Sequence, residues 1–126
     1  MDMTTRHLIS DAANAFLAAP KRMLIGADWV DAADGVQLDV RNPATGEVFA
    51  QVPAGKAADV DRAVRAARTA FEEGPWPAMS PVQRERLLLA LADKVEANAQ
   101  ELAELESLDN GKSVMLARHV DMAMAV

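Results

Sequence analysis

Near the start of the chain Leu8, Ile9, Ala12, Ala13, Phe16 and Leu17 recur at helical spacing, and Pro20 ends the run, because a residue before proline is pushed out of the α region. A short leading helix is expected there. Over residues 23–52 the period shortens: "RMLIGADWV", "VQLDVRN" and "GEVFAQV" alternate or cluster β-branched and apolar residues between turn signals. Asp34-Gly35 separates the first two runs as a hairpin turn, and Asn42-Pro43 with Thr45-Gly46 forms the next bend. The pattern predicts a small antiparallel β meander.

Beyond Pro53 the pattern is helical. Val60, Ala63, Val64, Ala67, Ala70 and Phe71 make an apolar face opposite Asp61, Arg62, Arg65 and Arg68. Lys56 occupies the N-cap position and fills it poorly, whereas Asp59, at the third helical position, places a carboxylate where the helix dipole favours one. "GPWP" then breaks the helix. Ser80, Pro81 and Gln83 start the next one with a reciprocal capping box and a proline at the first position. Leu87, Leu88, Leu91, Ala92 and Val95 form the stripe expected to be buried. Asn98-Ala99-Gln100-Glu101 repeats the cap pattern, which predicts a kink or a fresh start, and Leu102, Leu105 and Leu108 follow.

"ESLDNGK" closes that helix. Asn110 and Gly111 suit a helix C-terminus and the turn after it. Asp109 does not, because an anion in the last turn opposes the macrodipole, which there favours cations such as Lys112. Something else is expected near that carboxylate. The final run, "SVMLARHVDMAMAV", is apolar around most of a helix circumference, a pattern of burial on several sides. It carries no stop signal, so the expectation is that the natural chain continues or that this segment docks on another subunit.

Composition sharpens this picture in two ways. The 126 residues suffice for one domain, but 26 of them are Ala and aromatics are 4%, so little bulky apolar surface is available to offset chain entropy. A thin core is expected. The net charge of -6, without a basic stripe, gives a field that repels phosphate backbones and anionic lipid, so neither nucleic acid nor membrane is an expected partner. The first 20 residues lack the apolar stretch of a signal peptide, and no run approaches the ~20 apolar residues of a membrane span. A cytoplasmic location is the expectation.

Candidate chemistry is sparse. The chain has no cysteine, hence no disulfide, thiolate ligand or thiol nucleophile. His7 and His119 are isolated imidazoles, and only Asp121 lies close to either in sequence; a surface or satisfied core role is the simpler reading. Glu101, Glu104 and Glu106 fan out on a helix and read as a solvated face. The methionines of the final run read as packing filler. No glycine-rich phosphate loop is present.

Motif order adds what periodicity does not. "LIGADWVDAADG", "VRNPATGEVFAQVP", "ADVDRAVRAARTAFEEGPWPAMSPVQRERLLLALADKVEAN" and "ELAELESLDNGKS" together resemble the N-terminal quarter of the NAD(P)-dependent aldehyde dehydrogenase superfamily, over residues 23–126. The most specific pieces are "NPATGE", the D-V-x-x-A-V-x-A-A-R-x-A-F pattern and "ESLDNGK". The resemblance implies an α/β fold: residues 1–22 as a leading helix and lead-in, and residues 23–126 as the incomplete N-terminal portion of the dinucleotide-binding domain. That portion is a small antiparallel β meander followed by about four helices, which pack against a Rossmann-like sheet formed later in the chain.

The resemblance also implies oxidation of an aldehyde to a carboxylic acid with NAD or NADP. In the family a cysteine thiolate attacks the aldehyde, the thiohemiacetal gives up hydride, and a Glu-activated water hydrolyses the thioester. None of those positions matches a residue of this chain, so the chain alone is expected to be inactive. Its implied partners are the remainder of the enzyme, homologous subunits of a homo-oligomer and a small-molecule aldehyde. Many members bind a monovalent or similar hard cation through the carboxylate of the L-D-N-G-K motif, backbone carbonyls just before N-P-x-T-G-E and a further carbonyl that this segment does not include. Carried over, the first two are Asp109 and the Val40 carbonyl. Two positions depart from the family pattern: Ser113 replaces a frequent Pro and offers an N-cap, and Lys56 replaces a commoner Asp. A second functional expectation is a non-catalytic interaction module that docks on a full-length homologue through residues 114–126.

Overall fold

A computed structural model describes residues 9–126. Helix α1 (Asp11–Ala18) starts at Ser10, whose Oγ accepts the Ala13 N–H at 3.3 Å, and it ends where Ala19 turns extended ahead of Pro20. The expected leading helix is therefore present. Leu8 and His7 lie outside the described residues.

Four strands follow: β1 (Met23–Ile25), β2 (Asp28–Val30), β3 (Gln37–Arg41) and β4 (Val48–Pro53). They form two separate two-stranded sheets, β1-β2 and β3-β4, and not one meander. The first hairpin turns at Gly26-Ala27, with Met23 opposite Val30, Leu24 opposite Trp29 and Ile25 opposite Asp28. Gly26 supplies the positive φ of 66° that a two-residue hairpin requires. Asp34-Gly35 is a turn, as expected, but it joins the two sheets and closes no hairpin. Gly35 N–H donates to the Ala32 carbonyl at 2.8 Å, and Asp34 Oδ1 accepts the Val36 N–H at 3.0 Å. The bend between β3 and β4 is as read: Asn42 N–H bonds the Glu47 carbonyl at 2.9 Å, and Asn42 Oδ1 accepts the Ala44 N–H at 2.9 Å.

Helix α2 (Ala57–Glu73) begins at Lys56. A lysine ammonium has no lone pair to offer, so only one half of a capping box forms: Asp59 Oδ2 accepts the Lys56 N–H at 3.1 Å. Asp59 Oδ1 also accepts the Ala33 N–H at 3.1 Å, and this carboxylate is 3% exposed. After a 3₁₀ turn (Trp76–Ala78), helix α3 (Pro81–Ala97) carries the predicted complete box, Ser80 N–H to Gln83 Oε1 at 2.8 Å and Gln83 N–H to Ser80 Oγ at 3.4 Å. Helix α4 (Ala99–Asn110) starts afresh at Asn98. Asn98 does not cap it with its side chain, which donates backwards to the Lys94 carbonyl at 2.8 Å and so closes α3.

The final run is helical with a change of pitch: α5 (Val114–Leu116), a π turn (Ala117–Asp121) and α6 (Met122–Ala125). The Ser113 side chain makes no cap bond; its carbonyl accepts the Ala117 N–H at 3.0 Å. With this run counted as one helix, four helices follow the strands, and the fold is α/β.

The chain packs as two units. One comprises residues 9–20, Asp39–Ala50 and Leu87–Val126; the other comprises Lys21–Leu38 and Gln51–Arg86. In the first, α4 packs against α1 and against the final helical run. In the second, α2 packs on β1 and on the 3₁₀ turn, and the Arg84 guanidinium lies 5.6 Å from the Trp76 ring centroid.

Buried apolar residues among those described are small: Ala13, Ala32, Ala54, Ala103 and Ala117, with Leu108 the one large side chain. The stripes expected to be buried are open. Phe71 is 69% exposed, Leu91 60% and Met124 83%. Helical periodicity fixed which residues share a face, but burial requires a surface opposite that face, and the described residues provide none.

Candidate cation site at the end of helix α4

Helix α4 ends as its sequence demands. Gly111 is its C-cap in the left-handed conformation (φ 78°), and its N–H donates to the Ser107 carbonyl at 3.0 Å. A side chain is excluded there twice over: φ is positive, and a Cβ on Gly111 would lie 3.0 Å from Pro43 Cγ. That contact brings the turn after α4 against the Asn42-Pro43 bend. The two sequence segments expected to supply a cation's ligands therefore meet, one carrying Asp109 two residues before Gly111, the other carrying Val40 three residues before Pro43.

Asp109 is exposed, and Val40 is half-buried in β3. Among the described residues the Asp109 carboxylate has neither an ion pair nor a hydrogen bond. Among the described residues no group of three or more His, Cys, Asp or Glu side chains is placed to hold a metal. An unpaired carboxylate joined by main-chain carbonyls is a donor set that suits a hard cation of low charge and not a transition metal.

The cation closest in sequence, Lys112, is held elsewhere. Its Nζ pairs with Asp121 Oδ2 in the π turn and lies 3.7 Å from Glu106 Oε1. Its backbone is also tied, N–H to Asn110 Oδ1 at 2.7 Å and carbonyl to the Ser107 hydroxyl at 2.5 Å. The hydrogen bond that Lys112 donates to Asp121 raises the Lys112 pKa above its ordinary value, and the same bond lowers that of Asp121. His119, two residues before Asp121, is exposed and does not share in this pairing.

The acidic residues of α4 are not one solvated face. Glu104 is 5% exposed and accepts three bonds: from the Ser10 N–H at 2.8 Å, the Ser10 hydroxyl at 2.6 Å and Gln100 Nε2 at 2.5 Å. Burial pushes its pKa up; the bonds from Ser10 and Gln100, with the Arg118 charge, outweigh this, and the net shift is downward. Arg118 itself donates to Gln100 Oε1. A cue was available in the spacing, since Gln100, Glu104 and Leu108 stand at i, i+4 and i+8 on the face that also holds Ala103. The Lys112–Asp121 pair had no such cue, because nine residues and a helix break separate its members.

Among the described residues no glycine-rich loop precedes a helix.

Comparison with known proteins bears on the whole arrangement. The family model described as "Aldehyde dehydrogenase family" matches residues 29–126. The chain is 54% identical over 91 residues to aldehyde dehydrogenase family 2 member B4, mitochondrial, of Arabidopsis thaliana, covering 72% of this chain and 17% of that protein. It is 43% identical over 106 residues to phenylacetaldehyde dehydrogenase of Pseudomonas fluorescens, covering 84% and 21%. The NAD+ complex of an aldehyde dehydrogenase from Bacillus cereus superposes with a TM-score of 0.87 at 41% identity, covering 91% of this chain and 23% of that one. The chain thus spans less than a quarter of the length of these three relatives. Motifs, fold and comparisons agree, and the chain belongs to the aldehyde dehydrogenase family.

Proposed function

We propose that these residues are the N-terminal portion of the nucleotide-binding domain of a cytoplasmic, homo-oligomeric aldehyde dehydrogenase that oxidises an aldehyde to a carboxylic acid with NAD or NADP. The observation that carries this reading is the pairing of a superposition onto an NAD+-bound relative with open apolar faces on α2, α3 and the final helix. Such faces have the spacing of buried ones and call for a covering surface. The dinucleotide supplies hydride acceptance when bound; the residues described here do not contact it on this reading and contribute no nucleophile. Their work is structural: α2 and α3 offer apolar faces to the remainder of the domain, and the α4 turn offers Asp109 and the Val40 carbonyl to a monovalent cation.

The coding sequence on the 3′ side of the Val126 codon tests this. The expected result is an in-frame continuation with further strand-helix units and a cysteine. A stop codon directly after Val126 in the native gene contradicts it.

The exposure of Met115, Leu116, Val120 and Met124 favours a second reading, in which the chain is a non-catalytic module that docks on a full-length homologue through its final helix. Co-purification of the chain with such a homologue, abolished by Met124→Asp, is the result that reading requires.

A further inference from the structure

We infer that Asn110-Gly111 is a self-modification site, where Asn110 deamidates through a succinimide to aspartate and isoaspartate, and that the C-cap of α4 gates the reaction.

The reaction uses the side-chain amide carbon as electrophile and the next residue's backbone nitrogen as nucleophile. Gly111 N attacks Asn110 Cγ and gives up its proton to solvent; the Cγ–Nδ2 bond breaks and that nitrogen leaves as ammonia. Water then opens the ring at either of its carbonyls. One water is consumed and one ammonia released, with nothing oxidised or reduced. Among the asparagines only Asn110 is followed by glycine, which puts no side chain in the nitrogen's path. Asn42 precedes Pro43, whose nitrogen has no proton to lose. Asn14 and Asn98 precede alanine, and both donate their amides to backbone carbonyls.

The fold supplies the electrophile and withholds the nucleophile. Asn110 and Gly111 are both exposed, so water reaches them. The Asn110 side chain bends forward over the turn, and its Oδ1 accepts the Lys112 N–H at 2.7 Å. That bond draws electrons from Cγ and is placed to take up the oxyanion formed when Cγ is attacked. The Gly111 N–H, however, donates to the Ser107 carbonyl at 3.0 Å, so the nitrogen keeps its proton. The Ser107 hydroxyl closes the same turn through the Lys112 carbonyl at 2.5 Å, and buried Leu108 anchors it. Reaction therefore waits on local opening of the cap.

The product does not restore what opened. It puts a second acid beside Asp109 in the last turn, against the helix dipole. It also replaces the Nδ2 donor, 3.3 Å from Glu106 Oε1, with another carboxylate oxygen. Isoaspartate further lengthens the backbone by a methylene, so the modification acts in one direction.

The test incubates the full 126-residue chain in mildly alkaline buffer beside a synthetic peptide of residues 104–113. Peptide mass spectrometry follows conversion at each asparagine, with isoaspartate separated by chromatography, and amide hydrogen exchange at Gly111 is measured in the same samples. Leu108→Ala loosens the end of α4; Ser107→Ala removes only the hydroxyl bond across the turn. The expected result is that Asn110 converts ahead of Asn14, Asn42 and Asn98, and roughly 5- to 30-fold more slowly than in the peptide. Both variants should convert faster than the parent, in proportion to their Gly111 exchange. Asn110→Asp should lose exchange protection over residues 105–110.

A parent rate equal to the peptide's overturns the gate, as does conversion that fails to follow Gly111 exchange across the variants. Should Leu108→Ala unfold, its rate is expected to equal the peptide's, and a slower one contradicts the gate. No conversion at Asn110 in Leu108→Ala, while the peptide converts, removes the site itself. Parent-like protection in Asn110→Asp would mean that the product still caps α4, against the proposal.

Discussion

Glu104 Oε2 accepts both the backbone N–H and the hydroxyl of Ser10, 94 residues away in sequence, at 2.8 and 2.6 Å. One carboxylate oxygen thus pins the N-cap of α1 to α4. With Ala13 and Ala103 buried in the same unit, this bond sets where α1 lies on α4.

Removing that carboxylate should release α1. Glu104→Ala leaves the Ser10 and Gln100 donors without their charged acceptor, a loss of about 1.5–3 kcal/mol. The expected outcome is faster amide hydrogen exchange at Ala13 and Asn14, with little change at Leu88 in α3. Unaltered exchange in α1 would mean that Glu104 does not hold it.

Acid should do the same reversibly. The Glu104 pKa is lowered on folding, so its contribution is fully present above the ordinary glutamate value of 4.5 and is lost as pH falls below that value through the folded one. Exchange protection in α1, followed from pH 6 to pH 3, should fall below about pH 4.5 in the parent. In Glu104→Gln it should not respond over that interval.

Gly111→Ala forces a Cβ into a left-handed residue and to within 3.0 Å of Pro43 Cγ. Strain and contact together should cost about 1–2 kcal/mol. The readout is lost protection of the Gly111 N–H position and of residues 105–110, compared with Gly35→Ala, where φ is also positive but no atom lies within 4 Å.

Asp59→Ala should loosen the start of α2. It removes a 3%-exposed acceptor shared by the Ala33 and Lys56 N–H groups, at about 1–3 kcal/mol. Lys56→Ser, by contrast, adds the missing half of the capping box and should stabilise α2 by about 0.5–1 kcal/mol after loss of the exposed Lys56–Asp34 pair. Helicity by circular dichroism should move in opposite directions in the two variants.

How much of this the residues disclosed in advance depended on whether a feature is local. The Ser80–Gln83 box, the break at Asn98 and the Gly111 cap are each written in three or four adjacent residues, and each stands where it was read. The hairpins were harder. Asp-Gly is a stronger turn dipeptide than Gly-Ala, yet Gly26-Ala27 closes the hairpin and Asp34-Gly35 only links two sheets, because turn strength says nothing about whether the flanking strands pair. Glu104 and Lys112–Asp121 were not legible as bonds, since their partners come from elsewhere in the chain. The Asp109 expectation came from a local rule, that an acid at a helix C-terminus needs a counter-charge, and the described residues leave that need unmet.

The central claim is that these residues form a partial layer whose apolar faces are completed by other surface. Differential scanning calorimetry of the isolated 126-residue chain tests it most directly. The account predicts a broad transition with an enthalpy well under the ~0.7 kcal/mol per residue of a closed domain, accompanied by dye binding to the open faces before heating. A sharp transition carrying the full enthalpy, with no dye bound beforehand, would contradict it.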